Sequence, residues 1–457
     1  MNMEYTKKLA EFCSTVSYDS LPQETILMAK LCVLDFVANV YGSLELDAVA
    51  AVIAYIKSLG TQGNIPALGC GFKTDLHNAA FINGTTAEAI EAQDGARFGG
   101  NHPGTAVIPA ALAMTEKLKL NGKKMIEAIV AGYEAANRPA AAMHPWHTLG
   151  GFLPTGTCGT FGAAVAAGRL QSFSAQQMAS AIGNAAYVMP ISTGENLMGG
   201  YTVKIVQGGQ AASAGLMAAG LAGAGVTGAP YIIEGSELNG GFAVITTAAA
   251  PKLEKIIDAL GQHYSITDIY FKPYTACRHT HGAAQAALEI QDENKLTLSQ
   301  IDKIDVFTYG IAKLAVGKEV TPGSSFVSAQ FSIPYVVAVC LADGELGPQQ
   351  LTEKRIADSN LIGLSNKVQI HADKALEKIY PEKTSSRVEI KLKDGSRLVK
   401  QIDIPKGDPR DPMEANDIIK KVKQFSGNRD QTTIDNVCNK ILDLENITHI
   451  REITEII

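Results

Sequence analysis
The chain has 457 residues, of which 46% are hydrophobic and 19% charged, with 43 glycines, one Trp and a net charge of −6. That length carries two or three domains and a large core. The hydrophobic share excludes a disordered chain, and an acidic balance without a basic run excludes a nucleic-acid surface.

The start, MNMEYTKKLAEF, has no apolar h-region, so no signal peptide is expected. Helices are expected over 3–17 and 22–41, the second carrying Ile26, Ala29, Cys32, Val33, Phe36 and Val37 at helical spacing behind Pro22. The pattern continues over 46–59 and 76–92, then over 104–119 and 122–137, which a Leu-Asn-Gly turn joins. Three more helices follow at 155–169, 174–186 and 204–224. Between Pro139 and Ala250 the only charges are Arg169, Glu195, Lys204, Glu234 and Glu237. An even spread would give about 21. The block is rich in Ala, Gly, Ser and Gln, which transfer poorly to lipid, so no membrane span is expected. Ala211, Gly215, Ala218, Ala219 and Ala222 on adjoining faces of one helix suit close helix contacts, so the block reads as the middle of a helical core.

Near Ala250 the pattern changes. Residues 302–309 and 366–371 alternate like half-buried strands, and 387–404 reads as a hairpin turning at Asp394-Gly395. Helices at 279–292, 329–343 and 350–358 lie among them, making an α+β unit of about 130 residues. After Pro405-Lys406-Gly407-Asp408-Pro409 helices return at 413–425 and 430–442. The seven cysteines are scattered and lack a Cys-x-x-Cys pair, which fits a reduced, cytoplasmic protein.

Some familiar signatures fail. Gly223-Ala-Gly225-Val-Thr-Gly228 follows a helix, not a strand, so it does not aim a pyrophosphate at a helix start. His279-x-His281 and His144-x-x-His147 lack the further ligands of a metal site. Cys158 reads as a packed thiol. Four clusters hold. Glu91-Ala-Gln-Asp94-Gly-Ala-Arg97 before Asn101-His102-Pro-Gly104 puts carboxylates, an Arg and a His in a Gly-rich loop. Asp94 and His102 can form an acid/base pair there, with capping and a turn as the alternative. Thr155 and Thr157 open a helix, either as an anion site or as ordinary caps. Lys204 and Gln207 stand at the edge of the apolar block, where an isolated charge is either paired or snorkelled. Lys272, Tyr274, Arg278 and His281 lie at the junction of the helical and α+β regions, as a carboxylate-binding cleft or a solvated basic face.

In this order the clusters resemble the MmgE/PrpD family, which contains 2-methylcitrate dehydratases, cis-aconitate decarboxylases and an iminodisuccinate epimerase. The resemblance spans essentially the whole chain. It includes Leu34-Asp35, Gly132-Tyr133-Glu134 with Arg138, Pro154-Thr155-Gly156-Thr157, Lys272-Pro273-Tyr274 with Cys277-Arg278, Phe331-Ser332-Ile333-Pro334-Tyr335, and Pro405 to Pro409 with Pro412. It implies a mainly α fold, with an all-α domain from 1–266 and 405–457 and an α+β lid over 267–404. It also implies a homodimer without metal or organic cofactor; with the charge, composition and cysteines read above, the expectation is a cytoplasmic protein bound neither to nucleic acid nor to membrane. The expected substrate is a small di- or tricarboxylate. Asp94, His102 and Lys272 are the expected catalytic residues. Glu91, Arg97, Lys204, Gln207, Tyr274, Arg278, His281 and Ser332 are the expected binding residues.

The expected chemistry is removal of a proton next to a carboxylate by a 2-methylcitrate dehydratase-like hydro-lyase. The alternatives are an epimerase, a decarboxylase, or a non-catalytic carboxylate-binding paralogue. Four departures from the family pattern stand out: Glu91 and Gln93 each for an Asp, Gln210 for an Arg, and Leu153 where a catalytic His is usual.

Overall fold
The computed structural model describes residues 4–457. The expected helix start at residue 3 lies outside them. Helix dominates. Nine helices of the body, Tyr5–Thr15, Gln23–Ser43, Asp47–Ser58, Leu76–Ala89, Gly104–Leu118, Gly122–Met143, Pro154–Leu170, Ala175–Val188 and Gln207–Gly223, follow the periodic segments of the sequence. Their starts are capped by the residue types that do this well. Asp75 accepts from the His77 and Asn78 amides, Asn121 from Lys124, and Ser174 forms a reciprocal box with Gln177. Three boundaries differ from the sequence reading by more than two residues, the first being the helix expected over 76–92, which stops at Ala89. The helix expected to end at 137 runs through Pro139 to Met143, and the one expected from 204 begins as a 3-10 turn over Thr202–Val206.

The charge-poor block is the body's packed seam. Pro154–Leu170 lies against Gly122–Met143 and Gln207–Gly223. A Cβ on Gly162 would stand 2.7 Å from the Gly132 carbonyl oxygen, and one on Gly215 would stand 2.4 Å from the Ala163 Cβ. Small residues here set backbone-to-backbone contact, which larger side chains would wedge apart. The C-terminal helices Ala415–Phe425 and Gln431–Leu442 return to the body and pack on Gln23–Ser43. That last helix is long and apolar enough to cross a membrane, with a mean hydropathy of 1.4, but 83% of its apolar stretch is buried by the rest of the protein.

Two short ladders precede the main sheet. β1 (Ile65–Ala67) pairs with β2 (Phe72–Thr74), and β3 (Gly95–Ala96) pairs with β4 (Ile269–Tyr270), both antiparallel. The main sheet holds β5 (Ile301–Thr308), β6 (Val368–Ala372), β7 (Ser386–Leu392) and β8 (Arg397–Ile402) in the order β6-β5-β7-β8. Only β5 and β6 run parallel. Ile304, Val306, Val388 and Ile390 alternate inward, so one face is buried. Helices His281–Asn294 and Ile333–Asp343 pack on the sheet. The helix expected over 329–343 is two, Phe326–Gln330 and Ile333–Asp343. Extended Ser332 breaks it and caps the second by accepting from the Tyr335 amide at 3.2 Å. The one expected over 350–358 shrinks to Glu353–Ile356, and Asp358 starts a separate helix over Ser359–Ser365.

Candidate active site
The site begins where the helix Leu76–Ala89 stops. The last carbonyls of a helix lack partners within it and need donors from elsewhere. Here side chains from four other places supply them, for Ala89 in the last turn and for Glu91, Ala92 and Asp94 in the loop beyond it. Gln330 Nε2 donates to the Ala89 carbonyl at 2.9 Å, and Lys272 Nζ to that of Glu91 at 3.1 Å. Lys421 Nζ donates to the Ala92 carbonyl at 2.5 Å, and His102 Nδ1 to that of Asp94 at 2.7 Å. Glu91 takes a left-handed backbone, φ +55°. β3 and β4 then stitch this loop to the one bearing Lys272, with Gly95 opposite Tyr270.

Four ionic side chains converge under the loop. Glu91 accepts from Lys272 Nζ at 2.7 Å through Oε1 and from Lys204 Nζ through Oε2. Lys204 also donates to Glu88 Oε1 at 2.8 Å, and Gln207 Nε2 donates to the same oxygen at 2.6 Å. Burial opposes charge on Lys204, but Glu88 and Glu91 together outweigh it and hold its pKa above the ordinary lysine value. Burial likewise opposes ionisation of Glu91. Lys204, Lys272 and His102 overturn that and hold it well below the usual carboxylate range.

His102 differs from its neighbours. Burial first, then Lys272, lowers its pKa to about 4, so the ring is neutral at pH 7. With Nδ1–H donated to the Asp94 carbonyl, the lone pair is on Nε2. That atom lies 3.7 Å from Glu91 Oε1, a contact and not an ion pair while the ring is neutral. His102 keeps 16% of its side-chain surface, against 2% or less for Glu91, Lys204 and Lys272, so it is the member of the group that faces open space.

Asp94 and His102 are thus joined through a backbone carbonyl, not carboxyl to ring. The Asp94 carboxyl turns inward, accepting from the Gly104 amide at 3.1 Å and the Tyr133 hydroxyl at 2.6 Å. Burial, then the nearby Asp35, raises its pKa to about 7. Asp35 itself pairs with Lys421 at 2.6 Å.

The other expected residues divide. Arg278 lies over the Tyr270 ring and donates to the Pro405 and Lys406 carbonyls at 2.7 and 2.8 Å, which docks the returning chain. His281 donates from Nε2 to the Ala276 carbonyl at 3.0 Å, faces Arg278 through Nδ1, and packs beside the Tyr274 ring. His279 turns away to the Tyr309 hydroxyl. Arg97 reaches the Glu382 carbonyl and lies 3.8 Å from Asp408, outside the ionic group. The Ser332 hydroxyl is committed to its cap and to the Lys318 carbonyl at 2.6 Å. Both helix-opening threonines are engaged. Thr155 accepts from the His102 amide at 3.0 Å, and Thr157 meets His147 Nε2 at 2.8 Å. His147 is held on its other side by Thr246 and so does not replace the absent imidazole at Leu153. Cys158 is fully buried, and all seven cysteines are free. Among the described residues no three His, Cys, Asp or Glu side chains converge as a metal cluster.

Glu88, Gln330, Tyr133 and the Asp35–Lys421 pair were not foreseen as parts of this centre. Glu88 had a signal, because it stands three residues before Glu91 at the end of one helix. Lys421 had none, since 386 residues separate it from Asp35.

Comparison with known proteins agrees over nearly the whole length. Residues 7–254 match the MmgE/PrpD N-terminal domain, and 274–440 match the MmgE/PrpD C-terminal domain. A cis-aconitate decarboxylase of Aspergillus terreus is 25% identical, covering 99% of this chain and 95% of the relative. A cis-aconitate decarboxylase of Homo sapiens is also 25% identical, over 76% of this chain and 71% of its own.

Proposed function
Because the chain belongs to the MmgE/PrpD family, we propose that it is a lyase acting on a small di- or tricarboxylate, with 2-methylcitrate dehydratase-like elimination as the first reading. One observation carries the proposal. A neutral imidazole presents its lone pair beside two buried lysines. In this reading His102 Nε2 takes a proton from the carbon next to a substrate carboxylate, and the electron pair passes into that carboxylate. Lys204 and Lys272 stand ready for the negative charge that develops, in a site where water is scarce and such charges interact strongly. An anionic substrate also raises the His102 pKa toward the working range. The pair then returns to expel hydroxide from the adjacent carbon. The proton held on His102 completes water.

The lysine pairing changes one expected role. Lys272 spends its Nζ on Glu91, so it suits charge stabilisation and carboxylate anchoring better than proton removal. Asp94 suits positioning, since its carbonyl fixes the His102 tautomer while its carboxyl faces Tyr133.

Decarboxylation is the second reading, favoured by the decarboxylases among the relatives. It needs one proton donor to quench the carbanion left when carbon dioxide departs. Epimerisation, the other alternative, needs a carrier on each face, one to remove the proton and one to return it.

The test is incubation in D2O with malate, citrate, 2-methylcitrate and cis-aconitate, following alkene formation, carbon dioxide and carbon-bound deuterium. Turnover by the intact enzyme should fall by about 10²–10⁴ in His102→Gln. Unchanged turnover in that variant would remove His102 from the chemistry. Binding without turnover across the panel would make the protein a carboxylate-binding paralogue. A cytoplasmic homodimer completes the proposal, and light scattering should then give twice the chain's 48.4 kDa.

A further inference from the structure
The seat between Lys204 and Lys272 is already filled, and the carboxylate filling it is the protein's own. Each oxygen of Glu91 takes one lysine. Among the described residues Lys272 has no other carboxylate partner, whereas Lys204 keeps Glu88 as well. Glu91, Lys204 and Lys272 are buried, so no second carboxylate reaches the lysines unless the first one leaves. Glu91 also carries the one left-handed, non-glycine backbone in the loop, φ +55°, an unfavourable conformation that persists only where surroundings enforce it. Here the enforcing contacts are the lysines themselves, Lys204 on the side chain and Lys272 on both the side chain and the carbonyl. Residues so held can switch when their contacts are replaced.

We propose that Glu91 is a placeholder for a substrate carboxylate. In the resting enzyme it occupies the two-lysine seat, and an entering carboxylate takes that seat as Glu91 swings out. The position is chemically apt. His102 Nε2 lies 3.7 Å from the Glu91 oxygen that Lys272 holds. A substrate carboxylate in the same seat brings its neighbouring carbon to the imidazole lone pair. Glu91 is then a specificity-determining residue. It keeps the lysines neutralised until a ligand of the right class arrives, and it sets a threshold that a weakly binding monoanion does not cross. The inference rests on the proposed action of this site on carboxylates.

The test is calorimetric titration of the full chain with succinate, malate and citrate, comparing the natural protein with Glu91→Gln. The variant should bind at least one of the three about tenfold or more tighter, equivalent to about 1.4 kcal/mol. It should also show the larger ligand-induced rise in melting temperature, because the ligand restores the missing charge. Equal or weaker binding in the variant overturns the placeholder while leaving carboxylate chemistry standing. No binding by either protein overturns both. Should Glu91→Gln fail to fold, a crystal structure of the natural protein with the probe that binds it best decides. A probe carboxylate on Lys272 with Glu91 rotated away supports the proposal. Glu91 still on both lysines, with the probe elsewhere, overturns it.

Discussion

Two buried regions of the body are built on opposite terms. The seam of Pro154–Leu170 against Gly122–Met143 and Gln207–Gly223 is held by glycine and alanine with backbones in contact, and a single ion pair, Arg169 to Glu127 at 2.8 Å, closes one end of it. The centre beneath residues 88–94 is as deeply buried and holds Glu88, Glu91, Lys204 and Lys272 in one connected group. The seam tolerates no added atoms, because packing there is already at contact. The centre tolerates no missing ones, because each charge was taken out of water on the strength of its partners. Lys204 belongs to both, since it leads into the seam helix and ends in the centre.

That contrast can be broken in three ways. The largest effect is expected from Lys272→Met, which strands Glu91 without its second cation. Removing one partner of a buried pair costs about 3–5 kcal/mol, read as a lower urea midpoint at unchanged slope, together with loss of turnover. A variant of natural stability would mean that the centre is not held by its charges. Next is the seam. At Gly215 even a first side-chain carbon would lie 2.4 Å from the Ala163 Cβ and 2.7 Å from the Ala164 backbone nitrogen. Gly215→Val should therefore cost about 1–3 kcal/mol. Gly220, on the same helix, has nothing within 4 Å of such a carbon. Gly220→Ala should instead stabilise by up to about 1 kcal/mol through helix propensity. Equal effects at the two glycines in thermal melts would deny the seam its close contact.

The smallest effect is a matter of pH, where two groups oppose one another. The Asp94 carboxyl, raised by burial and then Asp35 to about 7, stabilises the fold when protonated. Its contribution is full below about 4 and is lost as pH rises to about 7. His102, lowered by burial and then Lys272 to about 4, works in reverse. Its contribution grows as pH climbs from about 4 to about 6.5. Together they flatten the profile between those values. Asp94→Asn keeps the backbone carbonyl and removes one slope, so its urea midpoint should rise with pH across that window. A flat or falling midpoint in the variant would refute the opposition.

The seam was legible in the sequence and the centre was legible only in part, for a physical reason. Helical spacing, glycine and alanine content and the scarcity of charge are local, and they act through neighbours a few residues away. They predicted the helices at 104–119 and 155–169 to within a residue or two. The isolation of Lys204 pointed to a pairing, and the pairing exists. What a local pattern does not contain is which distant donor meets which carbonyl. Lys421 on Ala92 and Gln330 on Ala89 are invisible for that reason. The direction of the Asp94 carboxyl was equally hidden, because Tyr133 comes from another helix. Ser332 shows the converse. Its place in a family pattern drew it toward the substrate, while its hydroxyl serves the helix it begins.

The bond from Lys421 to the Ala92 carbonyl bears on how the enzyme comes into being. Its two ends are 329 residues apart in the chain. At about 5–20 residues per second, a ribosome makes that lysine some 16–66 s after the loop it secures. During this interval the body helices exist while the loop that presents Glu91 and anchors His102 still lacks one of its fastenings. The His102 ring gains its full setting only once the last helices are synthesised and pack on Gln23–Ser43.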